Sequence, residues 1–238
     1  MCIRDSFVEG GTPVQVEGNV SDGHGGHGLF VRMGTDVTIT DNSCRGNGED
    51  GVRVEGIGLM TVTGNTVSRN AQGGVTVAAT AGGVMTAEVS QNVISHNPHG
   101  GIVLRGAQQG RVAANTISRT NGGGIVVRES ATVAVTGNHV SRSVTNGIAV
   151  GDFDTAAAYS TEVQVTENTI EHSGDAGMTI YATDTATVTA NRVRQSGSTG
   201  ISVQGLPDAV LQAQVQDNTV NRSCLLYTSP SPRDSMTS

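Results

Sequence analysis

Asparagine returns along this chain at Asn19, Asn42, Asn65, Asn92, Asn115, Asn138, Asn168, Asn191 and Asn218, at intervals of 23, 23, 27, 23, 23, 30, 23 and 27 residues. Nine residues after each of the first eight comes a glycine followed by an apolar residue: Gly28-Leu29, Gly51-Val52, Gly74-Val75, Gly101-Ile102, Gly124-Ile125, Gly147-Ile148, Gly177-Met178 and Gly200-Ile201. An offset that holds while the interval varies marks a repeated structural unit whose extra length is confined to one loop.

Within each unit the apolar positions alternate, which is the strand period. Valine or isoleucine stands three residues before the asparagines (Ile39, Val62, Val89 onward), two after (Val67, Ile94, Ile117, with Cys44 in the second unit) and twelve after (Val31, Val54, Val77 onward, with Leu104 in the fourth unit). Each unit therefore offers three short strands separated by turns. Such strands bury nothing alone, but stacked on copies of themselves they close three parallel sheets around one interior, like residues above like. Parallel crossovers are right-handed in nearly all cases. The expected fold is all-β: a single-stranded right-handed parallel β-helix of about eight coils, three short strands per coil. At roughly 4.8 Å per coil it would be about 38 Å long.

The nine asparagines are read as structural. A tight bend between strands asks for a left-handed backbone, which asparagine tolerates best after glycine, and stacked amides can donate from one coil to the next. A second polar column lies five residues on: His24, Asn47, Asn70, Asn97, Thr120, Ser143, Ser173 and Ser196.

The composition narrows the function. The chain has 14 arginines and no lysine, a net charge of −7 and few aromatics. That argues against nucleic acid, whose recognition draws on a basic stripe and stacking platforms. No apolar run approaches the length of a membrane span. Residues 1–6 and 224–238 look like translated sequencing adapters, which leaves 7–223 as the β-helix, expected to be a fragment of a longer protein whose open ends associate end to end. Cys44 is then the one cysteine of that segment, at an inward position, and should be an inert thiol.

The pattern N-x-[VI]-S-x-N-x-x-x-G-[IV]-x-V resembles the parallel β-helix repeat of the pectin-lyase-like superfamily. The resemblance implies an association with polysaccharides, as lyase, epimerase, glycoside hydrolase or surface protein, and an extracellular, periplasmic or cell-surface location. It is equally compatible with a non-catalytic structural or adhesin-type rod of a bacterial surface protein.

Chemistry is expected where the extra residues fall. They lie in one corner, after the Gly-[IV]-x-V strand, at residues 78–86, 151–162 and 204–212, so they rise on one side of the rod and wall a groove. The longest insertion carries Phe153 and Tyr159, whose rings suit sugar stacking, as does Tyr181. The outward column leading into that corner holds Arg105 and Arg128 on adjacent rungs, a pair suited to a carboxylate or sulfate. Glu129 and Asp152 are spaced like an acid pair, and Asp152 with Asp154 could contribute to a Ca²⁺ site. A lyase or epimerase acting there would draw on Arg105, Arg128, Glu129, Asp152 and Asp154 for its base and its enolate-stabilising cations. The same residues also read as a solvated ladder of weak surface pairs. A further column, four residues after the asparagines, reads Arg69, His96, Arg119, Arg142 and His172: solvated, or facing an anion. The histidines of Asp22–Gly28 are accounted for by the repeat, and no resident cofactor is expected.

Overall fold

Alternation of buried and exposed side chains sets every strand of the computed structural model, which describes residues 6–151, 160–205 and 211–228. All strand pairs are parallel, and they form a nine-stranded and a sixteen-stranded sheet. The nine-stranded sheet is a stack of three- to five-residue strands that follow each asparagine, from Val20–Asp22 to Thr219–Asn221. Nine rungs appear rather than eight because Asn218 and the strand after it open a further turn.

The sixteen-stranded sheet contains the other two strand columns. One follows the glycines, such as Ile125–Arg128, and one precedes the asparagines, such as Thr132–Thr136. In three coils the two run together around the corner as a single twelve-residue strand: Leu29–Thr40, Val52–Thr63 and Met178–Thr189. The chain winds right-handed, and like residues stack: Ile102, Ile125, Ile148, Met178 and Ile201 are partners on successive rungs. Past residue 223, the boundary expected from sequence, Cys224–Thr228 lies parallel to Thr199–Gln204, because an open parallel edge offers unpaired backbone groups to the segment that follows.

The interior is a dry valine and isoleucine core, with Ile39, Val62, Val89, Cys44, Val67, Ile94 and Leu104 all fully buried. It includes an inward column five residues before the asparagines that the sequence pattern conceals, because its occupants vary: Val37, Met60, Ala87, Gly110 and Val133. Sizes compensate within a coil. A methyl group on Gly110 would lie 2.7 Å from the Leu104 side chain, which fills the space that glycine vacates.

The asparagines are joined coil to coil. Asn65 donates from its backbone N–H and its Nδ2 to Asn92 Oδ1 at 2.9 and 3.0 Å, and Asn92 does the same to Asn115 at 3.0 and 3.0 Å. From Asn42 onward each Nδ2 also donates to a carbonyl of the preceding coil, as Asn115 does to Val89 O at 2.8 Å. The expected left-handed backbone is displaced by one residue. Positive φ falls on the residue before the asparagine (Asp41, Gln91, Ala114, Glu167, Ala190, Asp217) and on the fourth residue after it (Arg69, His96, Arg119, Arg142, His172, Gln195, Arg222). The asparagine itself turns its side chain inward to bond, so its neighbours make the bends.

The second polar column behaves likewise only where it is asparagine: Asn47 Nδ2 donates to Asn70 Oδ1 at 2.9 Å, and Asn70 Nδ2 to Asn97 Oδ1 at 3.2 Å. From Thr120 onward the side chains are too short to link every coil, and Ser173 Oγ and Ser196 Oγ are buried without a hydrogen-bond partner among the described residues. The repeated glycine is explained by sterics and has no positive φ. A Cβ on Gly124 would lie 2.6 Å from Gly147 O and 3.0 Å from Ser143 Oγ, and would strike Val140 as well.

Candidate functional site

Because the first and third residues after each repeated glycine point inward, the second and fourth face out and tile one side of the rod. In the first two coils this outer face is bulky and cross-linked. Phe30 packs on Phe7 with ring centroids 5.3 Å apart and on His27 at 4.9 Å, and Arg53 sits over its ring at 6.0 Å. Arg53 also pairs with Glu55 at 2.6 Å and with the buried Asp50 at 3.3 Å, while His27 meets Glu49 at 2.7 Å. This aromatic cluster was not singled out by sequence, though Phe30 occupies a regular outward position.

From the fourth coil onward the corresponding side chains shrink to Val103, Val126, Ala149, Thr179 and Ser202, and a cleft of about 590 Å³ opens over them. One wall is Arg128, Gly151, Tyr181 and Gln204, on the side of the insertion corner; the other is His99, Thr145, Asn146, Asp175 and Ser198, from the turns ahead of the glycines. The cleft is thus a consequence of small residues at one repeat position. The second wall was missed because its residues vary from coil to coil, and only stacking shows that they adjoin. Asp175 is oriented by Ser198, whose Oγ donates to Asp175 Oδ1 at 2.6 Å, and Asn146 Oδ1 accepts the Ala176 N–H at 3.3 Å.

The two arginines expected to act together are in register on adjacent rungs but are not equivalent. Arg105 Nε and Nη2 donate to the two oxygens of Glu129, each at 2.8 Å. Glu129 has φ 51° at the corner, which turns its side chain back toward the preceding coil. The Arg105 hydrogen bonds hold the Glu129 carboxyl below its ordinary range against partial desolvation, and the charges of Arg105 and Arg128 add to this. Glu129 is therefore an ionised strut, unsuited to donating a proton near neutrality. Arg128 lines the cleft and Arg105 does not.

Tyr181 lies on the cleft wall. Asp152, Phe153, Asp154 and Tyr159 lie outside the described residues, directly after Gly151 of that wall. Among the described residues no three His, Cys, Asp or Glu side chains gather as a metal cluster, and no helix is long and apolar enough to cross a membrane. Cys44 is fully buried, and desolvation pushes its thiol up to about 12.

The family model described as "Right handed beta helix region" matches residues 5–86 and 79–220. Among solved structures, the chain is similar to an alginate lyase from Paenibacillus sp., at 12% identity and TM-score 0.62, covering 92% of this chain and 87% of that one. It is also similar to the periplasmic alginate epimerase AlgG, at 17% identity and TM-score 0.52, covering 90% of this chain. The chain spans 45% of that epimerase's length. None of the curated protein sequences matches.

Proposed function

This chain belongs to the right-handed β-helix family, and on that footing we propose that it binds an acidic polysaccharide in the cleft over the glycine strands. The observation that carries the reading is the cleft itself: a trough of small side chains along the rod, walled by Arg128 and Tyr181 on one side and by His99, Asn146 and Asp175 on the other. An extended sugar polymer needs such an elongated floor, and Arg128 offers a guanidinium for a carboxylate. Tyr181 offers a ring face for a pyranose. The alginate-acting proteins of similar architecture support a polyuronate as the ligand class. An extracellular, periplasmic or cell-surface location accords with such a ligand.

The described residues favour binding over acid–base turnover, since Glu129 is engaged by Arg105. A lyase or epimerase activity would have to draw its base from the cleft walls or from Asp152 and Asp154. The test is affinity electrophoresis in polyuronate gels, together with ultraviolet assay for unsaturated uronate. Retention that weakens about tenfold in Arg128→Ala and Tyr181→Ala is the expected result. Neither retention nor unsaturated product with any uronate polymer would leave a non-catalytic, non-binding rod.

A further inference from the structure

The arginines of this rod fall into two populations. On the two columns of the sixteen-stranded sheet they are paired: Arg32 with Glu9, Arg53 with Glu55, Arg105 with Glu129 and Arg111 with Glu88. On the asparagine strands and the turn that follows them, among the described residues, only Arg194 has a carboxylate within ion-pair distance, Glu171 at 3.7 Å. Arg69, Arg119, Arg142 and Arg222 have none; they stack in one column with His96 and His172, all exposed. Beside them runs a row of serines (Ser68, Ser95, Ser118, Ser141), and residues 66–73, 93–100, 116–123 and 139–146 contain no aspartate or glutamate.

Backbone geometry does not account for this column. Its residues hold φ between 55° and 59°, and glycine occupies the same place in the first two coils, at Gly23 and Gly46. A non-glycine residue there costs about 1 kcal/mol or more, and like charges at strand spacing repel. The rod also provides its own control. The second left-handed column, before the asparagines, makes the same demand and is filled by Gly64, Gln91, Ala114, Gly137, Glu167 and Ala190, with no cation. Cations are thus confined to one of two equivalent edges. Beside them, Val144, Gly174 and Gly197 floor a shallow trough of about 540 Å³ that Arg142, His172 and Arg222 flank.

We infer that this edge is a second docking site, apart from the cleft, for an anionic polysaccharide lying along the rod axis. Positions of the column recur at roughly one coil rise, about 4.8 Å, close to the advance of one sugar in an extended polyuronate, which carries one carboxylate per sugar. Arginine fills the third, fifth, sixth and ninth coils, with imidazoles in the fourth and seventh. The serine hydroxyls alongside can donate to the same polymer. Single-stranded nucleic acid fits less well: the column has no aromatic stacking platform, and the chain as a whole is acidic.

The experiment is calorimetric titration with a size-defined oligogalacturonate at two salt concentrations, with neutral dextran and a deoxythymidine oligonucleotide in parallel. The test variant replaces Arg69, Arg119, Arg142 and Arg222 with glutamine, which this rod already accommodates at the same left-handed turn in Gln195. At least a tenfold loss of oligouronate affinity and a shallower salt dependence are expected, with Arg→Lys at the same four positions retaining affinity. Arg128→Ala and Tyr181→Ala, which probe the cleft, should leave the component removed by the glutamine variant in place. Unchanged affinity and salt slope in the glutamine variant overturn the inference, as does tighter binding of the oligonucleotide than of the oligouronate. Failure of the cleft variants alone bears on the cleft.

Discussion

Arg105 reaches across one rung to Glu129, and its fork meets both carboxylate oxygens at 2.8 Å. The pair is 59% and 42% exposed, so its contribution is screened and should stay below about 1 kcal/mol. The folded-state pKa of Glu129 lies below its ordinary value, so the stabilisation is present above the unfolded pKa of about 4.3. It is lost as pH falls through the lower folded value. Thermal midpoints of the native chain and Glu129→Gln should therefore differ slightly at neutral pH and converge in acid. A gap that widens in acid would reverse the sign of the argument.

Gly124→Ala should destabilise by about 1–3 kcal/mol through overpacking, since the new methyl would meet Gly147 O at 2.6 Å. Gly137→Ala should be milder, about 1 kcal/mol, because nothing lies within 4 Å of the added carbon and Ala114 and Ala190 already occupy the equivalent left-handed position. Denaturant midpoints of the two variants measure the difference, and equal losses would refute the steric account of the repeated glycine.

Asn115→Ala should be more damaging than its size suggests. It removes Oδ1 from the buried Asn92 N–H at 3.0 Å, whereas Asn92 Nδ2 keeps the carbonyls of Val62 and Ser90 at 2.9 and 3.0 Å. An orphaned buried donor costs about 1–3 kcal/mol, so a loss of that order is expected in urea unfolding. Loss of protection of the Asn92 amide in hydrogen exchange would locate the damage.

In a Cys2→Ser, Cys224→Ser background, Cys44 should resist thiol reagents at pH 8 until the rod unfolds, because its thiol is buried with a pKa near 12. Cys44→Val should change stability by less than about 1.5 kcal/mol, as valine fills the same position at Val67 on the next rung. Rapid native-state modification would place the thiol outside the core.

The fold was legible because stacking copies one pattern eight times: the offset from Asn65 to Gly74 is the offset from Asn115 to Gly124. The inward column of Met60, Ala87 and Gly110 was not, since it is kept full by compensation within each coil, as between Gly110 and Leu104, and compensation hides periodicity. The cleft was half legible. Arg128 and Tyr181 belong to a regular column, whereas His99, Asn146 and Asp175 come from turns where each coil carries a different residue. The pairing of Arg105 with Glu129 depends on a corner φ that residue spacing does not encode.

The asparagine links all run in one sense, from the N–H groups of one coil to the Oδ1 of the next. The column is therefore vectorial, finishing with an acceptor at Asn19 and donors at Asn218. Copies meeting tip to tip could extend it only with opposite tips in contact, because like tips would set acceptor against acceptor or donor against donor. Any assembly along the axis would inherit that arrow and be polar, as an actin filament is.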